Sequence, residues 1–219
     1  MRIAKCLAGG WLLTATLALA GPPPIENVDI SIRSLEGDLL SEVRSWSDSS
    51  IETSWLGWHV PMVAGDRLLC CGDGGRWRTG DRTCRLEGTH RHFVFSHDRG
   101  FTVPGTGDSL VILLRSANGH VEDLQVYSGS CPLDAGNRAL TWLEEVDPAA
   151  SATFLADLIS EPGLLEGAGD AGDGALMALA LHASPVATQR LISVARSGSQ
   201  ADLRGEALFW LALSGADRA

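Results

Sequence analysis

Apolar and polar positions alternate early in the chain. Val28, Ile30 and Ile32 are separated by polar residues, the period of two that a half-buried strand requires. Leu39, Val43 and Trp46 then recur at i, i+4 and i+7 with Leu40 beside them, which predicts a short amphipathic helix. Strand-like segments follow at 55–63, 67–70 and 84–87, and alternation returns at 92–96 through Phe93 and Phe95. Between them runs a glycine-rich excursion from Gly72-Asp73-Gly74-Gly75 to Gly80-Asp81.

The clearest local signal lies further on. Residues 110–114 are a continuous apolar run, Asn118-Gly119 is the favoured two-residue hairpin turn, and 121–127 returns with Leu124 and Val126 on one face. A strand apolar on both faces belongs in the middle of a sheet. Residues 138–146 fit either strand or helix, and strand is preferred because Asp147-Pro148 opens a helix at once and the residue before a proline avoids helical angles.

From Pro148 the character changes. Ala150, Phe154, Leu155 and Leu158 mark a helix that Glu161-Pro162-Gly163 ends, and three more helices are expected up to Leu213. Residues 167–174 form a glycine-rich connector whose Asp173 is placed to cap a helix beginning at Gly174. Strands followed by helices predict an α+β fold: a mostly antiparallel, disulfide-stapled β-rich part at 21–147, then a helical segment at 148–219.

The helical segment contains an internal echo. Ala175, Leu176, Leu179, Ala180 and Leu181 recur as Ala207, Leu208, Leu211, Ala212 and Leu213, five of eight positions at an offset of 32 residues. Such an offset is the mark of stacked helix pairs, each too small to bury its own apolar face. The segment running from Pro185 through Arg196, then Ala201-Asp202-Leu203-Arg204, resembles a short bacterial HEAT repeat. The residues that carry the likeness are Asp202, Arg204, Ala207, Leu208 and Leu211. The resemblance implies that Asp202 and Arg204 tie neighbouring helices together while alanine and leucine pack the interior. It further implies an exported scaffold, of a kind whose function is generally unassigned.

Residues 1–20 carry the pattern of a signal peptide. Arg2 and Lys5 precede an apolar stretch, Ala18-Leu19-Ala20 is a small-x-small cleavage site, and Gly21-Pro22-Pro23-Pro24 cannot continue a helix. A periplasmic or secreted protein is expected, with no stable membrane insertion after cleavage. Removing Arg2 and Lys5 takes the formal charge from −10 to −12. That acidity argues against nucleic acid as a partner, which demands clustered cations. Lys5 is the only lysine, so Schiff-base and phosphate-loop chemistry have no amine to use after cleavage.

No catalytic set, metal site or cofactor is expected. His90 and His92 share a strand face near His97 and Asp98, yet Arg91 and Arg99 would repel a cation. Glu144-Glu145 would face opposite sides of a strand, and no G-x-S-x-G elbow is present. Trp55, Trp58 and Trp77 read as core more readily than as a binding surface. The reading is a non-catalytic interaction module; the alternative is an envelope hydrolase or metal-dependent enzyme built on the β-rich part. The run from Ala207 to Leu213 has no polar break, so Phe209, Trp210 and Leu213 are expected at a surface for self-association or a protein partner.

Cys70, Cys71, Cys84 and Cys131 follow the leader, and their even number reads as two disulfides. Adjacent cysteines do not readily bond each other. One of Cys70 and Cys71 should therefore join Cys84 and the other Cys131. Non-reducing peptide mapping after periplasmic expression is expected to recover both bonds, and free thiols above trace level would overturn this reading.

Overall fold

The structure, a computed structural model, describes residues 21–63, 69–70, 83–87, 109–161 and 171–215. The leader, Cys71, Trp77, His90, His92, His97 and Asp98 lie outside the described residues. The elements run β1 (Ile25–Ser34), α1 (Leu39–Ser49), β2 (Ser54–Pro61), β3 (Cys84–Arg85), β4 (Ser109–Ala117), β5 (His120–Ser128), β6 (Leu133–Glu144), α2 (Pro148–Ser160), α3 (Ala171–Leu181), α4 (Pro185–Ser197) and α5 (Ala201–Gly215).

The strands form one six-stranded sheet in the order β1-β6-β2-β4-β5, with β3 also paired to β6. β6 is parallel to β1, β2 and β3, whereas β2–β4 and β4–β5 are antiparallel. The expected mostly antiparallel sheet is thus corrected to a mixed one. The cause is topological: β1-α1-β2 is a crossover between parallel strands, and β6 enters the gap it leaves. Parallel neighbours need such a crossover and cannot be joined by a tight turn.

The hairpin forms where Asn118-Gly119 predicted it. Asn118 has φ 54° and Gly119 φ 82°, the left-handed pair of a type I′ turn, which matches the twist of the flanking strands. β4 is buried on both faces: Leu110, Ile112 and Leu114 point to one apolar cluster, Val111 and Leu113 to the other. The first cluster lies under the helices and joins Leu56, Trp58 and Val60 of β2 to Phe154, Leu155, the whole run from Ala175 to Leu181, and Leu191. Each fully buried side chain of this kind contributes about 1.5–3 kcal/mol relative to exposure. The second cluster holds Trp55, Tyr127, Leu133, Leu140 and Trp142 together with Cys70, Cys84 and Cys131.

Cys70 is bonded to Cys131, with Cα atoms 5.7 Å apart across a sequence separation of 61. Cys84 is also disulfide-bonded. Beside this staple the Leu69 amide donates to Ser128 Oγ at 2.8 Å and the Ser128 amide to the Leu69 carbonyl at 2.9 Å. Leu69 and Cys70 are not strand, although 67–70 reads as strand-like.

Caps set the helices. Asp38 Oδ1 accepts from the Ser41 amide at 2.9 Å, and Leu39, Val43 and Trp46 of α1 are buried as their spacing requires. Asp147 Oδ1 accepts from the amides of Ala149 and Ala150, both at 2.9 Å, with Pro148 at the first helical position of α2. α3 begins at Ala171, upstream of the predicted Gly174, so Asp173 sits inside the first turn rather than at the cap. The helix packs on β5. Gly174 approaches so closely that a Cβ there would lie 2.5 Å from the Leu124 carbonyl oxygen.

A short strap pins the end of α3 to the end of β2. The Val63 amide donates to the Leu181 carbonyl at 2.8 Å, the Ala183 amide to the Pro61 carbonyl at 2.9 Å, and Met62 bridges His182. His182 is fully buried, and its Nδ1 accepts from the Ser184 amide at 3.1 Å, so Nε2 carries the proton of a neutral ring. Nε2 has no hydrogen-bond partner among the described residues. Burial pushes the imidazole down to about 4, against a smaller opposing pull from Asp147. A group with a lowered folded pKa binds its proton in the unfolded chain first. Stability is therefore complete above about pH 6.5 and lost as pH falls toward 4, by about 3 kcal/mol from this group. Urea unfolding at stepped pH is expected to show that slope, and His182→Gln should flatten it; an unchanged slope would place the acid sensitivity elsewhere.

Candidate interaction surface

The α4–α5 pair closes the helical layer. Ser184 Oγ accepts from the Val186 amide at 3.2 Å, Pro185 opens α4, and Ala187, Leu191 and Val194 are its buried stripe. The Gly198 amide donates to the Val194 carbonyl at 2.8 Å and ends the helix. From the next helix, Arg204 Nη1 donates to the Gly198 carbonyl at 2.8 Å. A guanidinium at a helix C-terminus meets the negative end of the dipole and carbonyls that have no partner within the helix. Arg204 thus ties α5 to the end of α4, while Asp202 is exposed in the first turn of α5.

α5 has two different faces. Ala207, Trp210 and Ser214, at i, i+3 and i+7, are turned inward. Leu208 and Phe209 are 58% and 57% exposed, and Gly205 and Ala212 continue the same outer stripe. Leu211 is half-buried; the Leu213 side chain lies outside the described residues. The Phe209 ring sets its edge against Trp210 with centroids 5.5 Å apart, which holds it upright on the surface. The matching run in α3 is buried throughout, because α3 lies among β5, α2, α4 and α5, whereas among the described elements α5 packs chiefly on α3 and α4.

Among the described residues the tryptophan candidates are accounted for by packing. Trp55 and Trp58 are both fully buried but in different clusters, on opposite faces of β2, so they form no shared aromatic surface. Trp58 Nε1 donates to Ser151 Oγ at 3.0 Å. Glu144 ends β6 and Glu145 follows it at φ 60°, exposed. No group of three or more metal-ligating side chains occurs among the described residues.

One polar cluster escaped the sequence reading. Arg115 holds Glu87 through Nε and Nη2, both at 3.4 Å, and Glu122 through Nη1, while Trp55 Nε1 donates to Glu87 Oε1 at 3.2 Å. Tyr127 nearby donates to Gln125 Oε1 at 2.8 Å, and burial pushes its hydroxyl pKa up. These charges satisfy one another at the rim of the second cluster. The outer stripe of α5 is the apolar surface that the helical layer leaves uncovered.

Arg204→Ala is expected to lower stability by about 1–3 kcal/mol, the range for a charge-assisted hydrogen bond to a helix end. Chemical denaturation checks it, and an unchanged midpoint would mean that water replaces the guanidinium at Gly198 without loss. In comparisons with known proteins, the chain matches no family model, no curated protein and no solved structure.

Proposed function

We propose that the protein is a non-catalytic, exported interaction module whose helical end acts as a short HEAT-like stack and receives a partner protein on the outer face of α5. The observation that carries this reading is the exposure of Leu208 and Phe209 on the outer face of α5. Large aromatic and aliphatic side chains in one exposed stripe are the composition of an interface core. The 32-residue echo and the Asp202–Arg204 pattern support the repeat reading. The leader-like start and the bond between Cys70 and Cys131 support an oxidising compartment, periplasmic or extracellular. The mechanism is passive: a rigid face, held by Arg204 and Trp210, presents two apolar anchors.

Affinity capture from the envelope fraction, with Phe209→Glu as comparison, tests the reading. The expected result is a protein recovered with the parent chain and reduced at least about tenfold with the variant, the effect of losing one interface anchor. Thermal unfolding of the variant should be unchanged, because the side chain it replaces is largely in water. Identical recovery from both chains would exclude this face as the docking surface.

A further inference from the structure

We infer that β1 is a self-complementary edge and pairs antiparallel with β1 of a second copy of this chain, about a two-fold axis at Ser31. Among the described residues β1 bonds only to β6, so its outer row of amides and carbonyls is open. The opposite edge is different, since Leu69 covers the end of β5 at Ser128. Open edges of ordinary proteins are short, bulged, rich in lysine or interrupted by proline. β1 is ten residues long, and its single irregularity lies at Asn27, φ 51°, where the register shifts between Glu26 and Val28. Asn27 Nδ2 donates to Asp134 Oδ1 at 3.0 Å and holds that irregularity in place. Beyond it the register is regular from Val28 to Ser34, a segment whose midpoint is Ser31.

Pairing about that midpoint matches side chains throughout. Ile30 lies opposite Ile32 of the other copy, Asp29 opposite Arg33, and Val28 opposite Ser34, each twice by symmetry. Directly opposed residues of an antiparallel pair share a face. Ile30 and Ile32 are register neighbours of Leu140 and Trp142, which belong to the second cluster, so the four isoleucines would extend that cluster across the axis. They are 37% and 51% exposed in the single chain. Arg33 neighbours Leu143 on the helical face; its Nη1 is 3.7 Å from Glu42, and its side chain remains 57% exposed and within reach of a further carboxylate. Neighbouring registers match charge less well: an axis at Asp29 opposes two aspartates, and an axis at Ile30 gives Asp29 a neutral serine in place of Arg33. The edge therefore specifies both its partner and its register, as an isologous interface requires.

Light scattering on the purified protein is expected to give twice the monomer mass. Asp29→Arg and Arg33→Asp should each weaken dimerisation at least about tenfold by opposing like charges, and the double swap should restore it. Ser31→Cys should form a reducible cross-link between copies, whereas Val28→Cys, placed opposite Ser34, should not. A chain monomeric at all concentrations overturns the proposal, as does a dimer indifferent to both single reversals. A dimer lost with Phe209→Glu but kept with Asp29→Arg would assign self-association to α5 and likewise overturn it.

Discussion

Burial of both faces of the central strands is the constraint on which the rest of this molecule depends. Once Leu110, Ile112 and Leu114 project to one side of β4 and Val111 and Leu113 to the other, the sheet needs a cover on each. On one side five helices supply it. On the other, the described residues supply a smaller cluster built around Trp55, Leu140 and Trp142 and closed by the bond between Cys70 and Cys131. This cluster is smaller than the one under the helices. A covalent tie across 61 residues offsets this by restricting the unfolded chain, a contribution of about 2–4 kcal/mol.

The helical cover is anchored at one end and open at the other. The strap from Pro61 to Val63 meets Leu181 to Ala183 through two backbone hydrogen bonds and places a neutral, fully buried His182 at the junction. α3 is thereby fixed against the sheet and becomes the centre of the layer. Helices α4 and α5 then build outward from it, joined by Arg204 and the Gly198 carbonyl. Among the described residues no further element covers the far side of α5, where Leu208 and Phe209 are exposed. The same sequence motif is core in α3 and surface in α5 because position in the stack, rather than residue type, decides burial.

Two apolar surfaces thus remain, and they differ in kind. The stripe on α5 offers side chains alone, so its specificity must come from the shape around Leu208 and Phe209. The edge of β1 offers backbone donors and acceptors together with an ordered pattern of charge, so its specificity comes from register. On the proposals above, the chain would assemble through the edge of β1 and recruit a partner through the stripe on α5.

Much of the fold was legible in the residues alone because the signals were local. Asn118-Gly119 carries its own backbone preference, Asp147-Pro148 its own cap, and Leu39, Val43 and Trp46 their own helical period. Continuous apolarity at 110–114 announced a central strand. By contrast, the parallel partners of β6, the exposure of Ile30 and Ile32, and the cluster of Glu87, Arg115 and Glu122 depend on segments far apart in the chain. Alternation states that a strand has two unlike faces; it does not state where in the sheet the strand lies, and β1 lies at the edge. The apolar run at 207–213 likewise announced an unmet need for burial without saying which side would be met. Residue types and their spacing determined which elements form and where they stop. Tertiary structure alone decided which strand is flanked, which helix is central and which apolar residues reach water, because burial is set by the neighbours a finished topology brings together.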